Sequence, residues 1–348
     1  MFNLFAMFSP LKSKSKTATK TIVSKFTKAA RKPLVKKATI IKSWIKPASI
    51  YHIPAPKPIV VKKQVPAVIP PAPVIKPLPS HILIPVIYPY DRTSEAARLL
   101  ARELKTKRVF ENGSYVYQPN NLVINYGNKR QPNWGYNRNV KILNHWNVIQ
   151  LSSNKLTALN RLKERKVSTI EFTTSKDKAV EWVRSGQTVM CRTILNGHSG
   201  HGIVVAIAPE QVVDAPLYSV YKKNIGEFRL IIVNGVVVDF MQKKRKIDWK
   251  GENGEKVNPL VKNHCNGWIF ARQDVHPPKI VLDEAVKAME ALELNFAAVD
   301  AIYNQKENKA YILECNTAIG LEADGTTLKN LSTAFLAICN NQKPKSVI

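Results

Sequence analysis

Short apolar runs alternating with amphipathic segments predict an α+β fold, and three observations frame it. Residues 81–126 read strand, helix, strand, which is the opening of an α/β layer. Further on, an Asn-Gly pair at 234–235 joins two β-like runs, EFRLIIV and VVVDFMQKK; Asn and Gly tolerate the positive φ that a two-residue hairpin turn requires. Finally, the composition breaks near residue 80. The first 80 residues hold 15 Lys, one Arg, no Asp or Glu and 12 of the 22 prolines, a charge of +16. The remaining 268 residues carry 37 basic and 25 acidic residues, +12 of the total +28. A disordered basic, proline-rich arm and linker over 1–80 is therefore expected to precede a compact body.

Residues 11–50 of the arm are Ser/Thr/Ala/Ile sequence studded with Lys, whereas 53–79 repeat Pro with Val, Ile and Ala. Proline lacks an amide donor and restricts the residue before it, so this second stretch predicts an extended, polyproline-like spacer. An anionic partner matches the charge: nucleic acid, an acidic assembly surface or a membrane face. A solubilising tail without a target is the plain alternative. The four cysteines, Cys191, Cys265, Cys315 and Cys339, form no C-x-x-C pair, which argues against a zinc ribbon or a disulfide scaffold and fits a reducing compartment. There is no apolar run of membrane-spanning length, and Met1–Met7 is too short for a signal-peptide core.

In the body, the first strand is expected over His81–Tyr88. A helix follows, capped by Asp91 or Thr93, with Ala96, Leu99, Leu100 and Leu104 on one face. Asn121–Tyr126 is the second strand, and 127–140 is a polar surface loop. Ser152 or Ser153 opens a helix bearing Leu156, Leu159 and Leu162; an extended STIEFTT and a helix over Lys176–Arg184 come next. QTVMCRTIL, GIVVAIA, the hairpin strands, NFAAVD and KAYILECN read as β, and 281–293 as a helix. No internal repeat is present.

Chemistry has two candidate locations. The loop Asn196–Gly202 carries Gly197, Gly200 and Gly202 with His198, Ser199 and His201 between two strands. Such a loop can turn its amides toward phosphate, or it can be an ordinary glycine hairpin. The two familiar nucleotide fingerprints, G-x-x-x-x-G-K-[ST] and G-x-G-x-x-G, are absent. The histidines lack a spaced acidic partner for a triad, so contact with phosphate or solvent is the expectation. In the second location, Asp300 ends one strand while Glu314 and Asn316 lie two apart on another. Neighbouring strands would make these three hard oxygen ligands converge on magnesium; separated strands would leave them as solvated ends. Lys155, Arg192, Lys222, Lys223, Lys243 and Lys244 are candidates to neutralise phosphate, and each also reads as a surface charge.

Taken in order, the stretch from about 150 to 327 resembles the ATP-grasp superfamily, particularly the branch containing ribosomal-protein glutamate ligases and related phage-encoded proteins. The resemblance implies two α+β subdomains, 151–220 and 221–340 within a grasp domain over 151–340, clasping ATP after an abbreviated pre-grasp region over 81–150. It places Lys155 and Arg192 on phosphate, with arginine where a second lysine is usual. The glycine loop, with His198 and Ser199, would cover the nucleotide. Tyr221 and Lys222 fall at the adenine hinge, which has Val220 in place of the usual acid, Glu227 falls at the ribose, and Arg229 and Lys243 at the transferring phosphate. Asp300, Glu314 and Asn316 correspond to the metal residues, holding two magnesium ions, with manganese as the alternative. Asn263 and Gly267 fall near the site, and Glu322 at the acceptor edge. The implied activity is carboxylate–amine ligation through an acyl phosphate, with a carboxylate and an amine, either of them a small molecule, a peptide or a protein, as substrates. A kinase, or an ATP-binding nucleic-acid or virion protein without ligation, is the alternative. The implied place is the cytoplasm of an infected bacterium, or the virion.

Overall fold

The computed structural model describes residues 82–136, 139–197, 200–223, 226–246, 260–262 and 266–348. Residues 1–81, and with them the expected arm, lie outside the described residues. So do His198, Ser199 and Asn263.

Among the described residues three sheets build the body. The first is parallel, with β1 (Ile84–Pro89), β2 (Asn121–Tyr126) and β3 (Ile142–Leu143) in that order. Its crossover helix α1 (Glu95–Glu103) buries Ala97, Leu99, Leu100 and Ala101. The N-cap is Ser94, whose hydroxyl accepts from the Ala97 amide at 3.3 Å; Asp91 instead accepts from the amide and hydroxyl of Thr93. The cap thus moves one residue beyond the expected Thr93.

Next come α2 (Trp146–Ser153) and α3 (Lys155–Glu164). Asn154 caps α3, accepting from Leu156 and Thr157 at 3.0 and 3.2 Å. Ser152 and Ser153, expected as the cap, complete the preceding helix and bond back into it. The second sheet is antiparallel in the order β4 (Phe172–Thr173), β7 (Leu217–Val220), β5 (Val189–Arg192), β6 (Ile203–Ala206). Helix α4 (Lys176–Arg184) seals its outer face through Ala179 and Val183 against Val189, Cys191 and Tyr218.

The third sheet is antiparallel in the order β10 (Trp268–Ala271), β9 (Val236–Arg245), β8 (Gly226–Val233), β11 (Phe296–Asn304), β12 (Lys309–Asn316). The hairpin turn falls at Asn234 and Gly235, both at positive φ. Strand β10 and helix α6 (Thr326–Cys339) complete the body and had no counterpart in the expected elements. One face of the sheet takes α5 (Lys279–Ala291) and α3, with Leu230, Ile232, Ala297, Val299 and Ala301 in the shared core. The opposite face takes α6 and the first sheet over half its length, where Ile231, Val233, Phe296 and Ala298 meet Phe335, Leu331, Leu100 and Tyr126. Beyond that half, the same face becomes polar.

The seam between the first and third sheets is held by Asn144, which is fully buried at φ 59°. Its side-chain oxygen accepts from the Asn295 and Phe296 amides at 2.7 and 3.2 Å, and its amide donates to the Phe296 carbonyl at 2.7 Å. Asn144→Ala strands these backbone groups and puts alanine in a left-handed conformation, so a loss of roughly 2–4 kcal/mol is expected in urea unfolding. An unchanged midpoint would contradict this role.

Candidate functional site

The polar half of the third sheet follows from strand parity. On β11, Phe296 and Ala298 face the α6 core, so Asp300 and Ile302 continue that face; on β8, Ile231 and Val233 do so, and Arg229 and Glu227 continue it. Parity alone would send two other residues the wrong way. On β12, Ile312 lies in the α5 core, and Glu314, two residues on, would share its side; a register shift opposite Asp300/Ala301 turns Glu314 over. On β9, Val236 and Val238 face α6, and the shift opposite Ile231/Ile232 lets Met241 and Lys243 rejoin that face. As a result Arg229, Asp300 and Glu314 stand directly opposite one another on three adjacent strands.

Asp300 and Glu314 line a cavity of about 150 Å³ between the second and third sheets, and Arg229 holds Asp300 from behind it. Lys155, Arg192, Gly197, Gly200, Tyr221, Lys222, Glu227, Lys243, Asp300 and Glu314 all reach it. Arg229 sits two strands from Glu314, with Asp300 between them, and bonds to Asp300, while Asn316 bonds to Glu314. Gly202 stands at the base of the β5–β6 hairpin at φ 76°, its carbonyl taken by Thr193. Lys223 and Glu322 are exposed away from the cavity, Lys244 donates to the Gln273 carbonyl, and Gly267 turns the chain at φ 77°. His201 lines the cavity beside Gly200.

Ion pairs organise the interior. Arg229 grips Asp300 with two bonds of 2.7 Å while its guanidinium lies 4.4 Å above the Phe270 ring. Burial pushes the Asp300 carboxyl up, and Arg229 and Lys243 offset only part of that. For Arg229 burial disfavours the cation, but the charge and bonds of Asp300 outweigh it and the pKa rises. Lys243 behaves alike: against burial, Asp300 and its bonded partner Glu227 raise it. Glu227 also meets Lys262 at 3.3 Å. Burial would raise Glu314, yet Lys155 at 3.1 Å, the Asn316 amide at 2.9 Å and Arg192 hold it down to about 2. Burial lowers Arg192, with Glu314 opposing.

Lys155 also donates to the Gly197 carbonyl at 2.8 Å, tying the glycine loop to the carboxylate row. At Gly197 a Cβ would come within 2.7 Å of the His201 carbonyl, so only glycine fits. Five lining side chains are Lys or Arg (155, 192, 222, 243 and 262) and three are carboxylates (227, 300 and 314), leaving a positive surplus suited to a polyanion. The remaining wall is apolar: Ile170, Met190, Ile302 and Leu313 offer a slot beside the β7 hinge at Ser219–Lys222. Lys262, Phe270 and this slot were missed in the sequence. The slot had a signal, since Ile302 and Leu313 neighbour Asp300 and Glu314 on their strands; Lys262 had none.

Asp300, Glu314 and Asn316 bring together two opposed carboxylates and an amide, hard oxygen donors of the kind magnesium takes when phosphate oxygens complete its shell. Among the described residues no group of three His, Cys, Asp or Glu gathers as a self-sufficient metal cage. The residues therefore fit a metal shared with a phosphate ligand.

No protein-family profile matches the chain, and no curated protein matches it in sequence. Solved structures match in fold. The ATP-grasp ligase PsnB complexed with minimal precursor, Mg and ADP aligns at 12% identity and TM-score 0.52, covering 74% of this chain and 97% of that one. D-alanyl-alanine synthetase A from Vibrio cholerae O1 biovar eltor aligns at 13% and 0.55, covering 75% and 98%. The ADP complex of N5-carboxyaminoimidazole ribonucleotide synthetase aligns at 13% and 0.52, covering 77% and 81%. The described body has the ATP-grasp fold. No helix among the described residues is long and apolar enough to cross a membrane.

Removing one member of the buried pair should cost more than removing both. Asp300→Leu strands the Arg229 cation and is expected to lose about 3–5 kcal/mol in urea unfolding, whereas Asp300→Leu with Arg229→Met loses less. Strict additivity would show the pair to be uncoupled. Because the Glu314 pKa lies near 2 in the folded chain and near its ordinary 4.5 when unfolded, its stabilisation is complete above pH 4.5 and fades as pH falls toward 2. In Glu314→Gln, stability should decline less steeply across that window; an unchanged slope would contradict the assignment.

Proposed function

We propose that the chain is an ATP- and magnesium-dependent carboxylate–amine ligase acting through an acyl phosphate. The observation that carries this reading is the Arg229–Asp300–Glu314 row facing a cleft with surplus positive charge at one end and an apolar slot at the other. That combination matches a nucleoside triphosphate: a flat base for the slot, and a polyphosphate for the cations.

The base lies between Ile170, Met190 and Leu313, against the hinge backbone at Tyr221 and Lys222, and the ribose hydroxyls meet Glu227. Lys155, Arg192 and Lys243 take the phosphates. Asp300, Glu314 and Asn316 would hold two magnesium ions, which when bound would supply positive charge against the phosphates. Lys155 and Arg229 are compensated by carboxylates within the chain, so the phosphates compete for cations already in position and little reorganisation is needed.

A substrate carboxylate oxygen then attacks the γ-phosphorus, the bond to the β-phosphate bridging oxygen breaks, and ADP leaves. The amine of the second substrate attacks the carbonyl carbon of the acyl phosphate; phosphate departs with the C–O electron pair, the nitrogen loses a proton, and an amide remains. Arg229 and Lys243 stabilise charge on the transferring phosphoryl group, and the glycine loop, tethered by Lys155 at Gly197, excludes water from the mixed anhydride. Residues 1–80, at +16, address this activity to a polyanion or an assembly partner. The phage-encoded branch, with action in the host cytoplasm, is the setting we favour.

The test is turnover of ATP with magnesium against mixtures of amino acids and peptides, followed by mass measurement of products. ADP, free phosphate and a new amide are expected, and Glu314→Ala should reduce turnover at least about 100-fold. Phosphate retained on the acceptor, or full activity in Glu314→Ala, would overturn the proposal.

A further inference from the structure

A second cleft, of about 470 Å³, lies on the other side of the segment that carries Ile170, which lines both cavities. Three lysines surround it: Lys163 and Lys166 from the end of α3, and Lys309 from the start of β12. Among the described residues none of the three has a carboxylate within 4.0 Å, although Lys309 acts on Glu307 at longer range, whereas Lys176, Lys178, Lys279 and Lys287 each meet a carboxylate closely. Lys163 and Lys309 rest over aromatic rings instead, at 5.8 Å from the Phe172 centroid and 5.1 Å from that of Tyr311. The acid at the rim, Glu171, is engaged with Lys222 at 3.5 Å.

Phe172 and Trp182 supply aromatic walls to the same cleft. Ser168 lines it too: its amide donates to Glu284 and its carbonyl accepts from Ile312, while its buried hydroxyl has no partner. Unpaired cations beside flat aromatic surfaces are the two ingredients of sequence-tolerant binding to single strands, in which bases stack and phosphates meet ammonium groups. An acidic peptide would use the lysines but leave the aromatic walls without a flat partner. We infer that this cleft binds single-stranded nucleic acid, with a base against Phe172 and Trp182 and phosphates on Lys163, Lys166 and Lys309. The inference is independent of the ligase reading, since none of these five side chains enters the nucleotide cavity.

The experiment uses the full chain and a fluorescein-labelled oligothymidylate, with anisotropy followed over a salt series. The reference protein is the full chain with the Lys residues of 1–80 changed to Gln, so that binding by their charge does not mask the cleft, and the cleft variants are made in that background. The exposed triple variant Lys163→Gln/Lys166→Gln/Lys309→Gln should bind at least about tenfold more weakly, with a plot of log affinity against log salt shallower by about 2. Phe172→Leu should weaken binding roughly fivefold with the salt slope unchanged. Affinity and slope equal to the reference in the triple variant would overturn the inference. So would a polyglutamate that competes with equal strength and is indifferent to Phe172→Leu, which would make an acidic peptide the occupant.

Discussion

Two carboxylates placed side by side on adjacent strands, one buried and the other at the edge of a cleft, cannot both stay ionised unless cations are brought to them, and much of this molecule is arranged around that requirement. Asp300 and Glu314 are opposite each other, and Glu314 is among the charges that raise Asp300. Arg229 answers Asp300 from the neighbouring strand, Lys155 answers Glu314 from α3, and Arg192 approaches from the second sheet. Compensation therefore draws three separate parts of the chain to one row. The same arrangement leaves Lys155 and Glu314 partnered in the absence of a nucleotide, which a magnesium–polyphosphate pair would exchange partner for partner.

Packing on both sides keeps the row in place. The α5 core covers one face of the third sheet across β8, β9, β11 and β12, while the α6 core covers only half of the other, and the uncovered half is the floor of the cavity. The first sheet braces the chain just beyond Asn316: the Tyr126 hydroxyl donates to the Ile319 carbonyl, and a Cβ at Gly127 would come within 2.7 Å of the Ala318 Cβ. A side chain at Gly127, already at φ 81°, would press on the loop that follows the carboxylate strand. The short first sheet thus acts on the site through contact, without lining it.

Much of this was legible. Period-two alternation put Glu314 and Asn316 on one face, and Asn-Gly marked the β8–β9 turn, whereas Asp300, expected to end its strand, stands mid-strand because β11 pairs on through Asn304. What alternation could not reveal was strand order and the two register shifts. Without the shift at Leu313, Glu314 would share the core face of Ile312, and no residue type in LECN announces the change. Lys262 was hidden for a related reason: it reaches Glu227 from an aperiodic connection. Helix α6 did carry a signal in Leu328, Leu331 and Phe335, but Gly325 provides no side-chain cap to mark its start. Caps at Ser94 and Asn154 fell one residue from those expected because several neighbouring polar residues compete for each cap and only the backbone geometry decides.

The most direct measurement is a crystal structure with magnesium and a non-hydrolysable ATP analogue. The base should occupy the slot at Ile170, Met190 and Leu313, the metal should be bound by Asp300, Glu314 and Asn316, and the Lys155 ammonium should have left Glu314 for a phosphate oxygen. A nucleotide bound elsewhere, or a metal held without Glu314 while Lys155 keeps its carboxylate partner, would contradict the exchange on which the proposed chemistry rests.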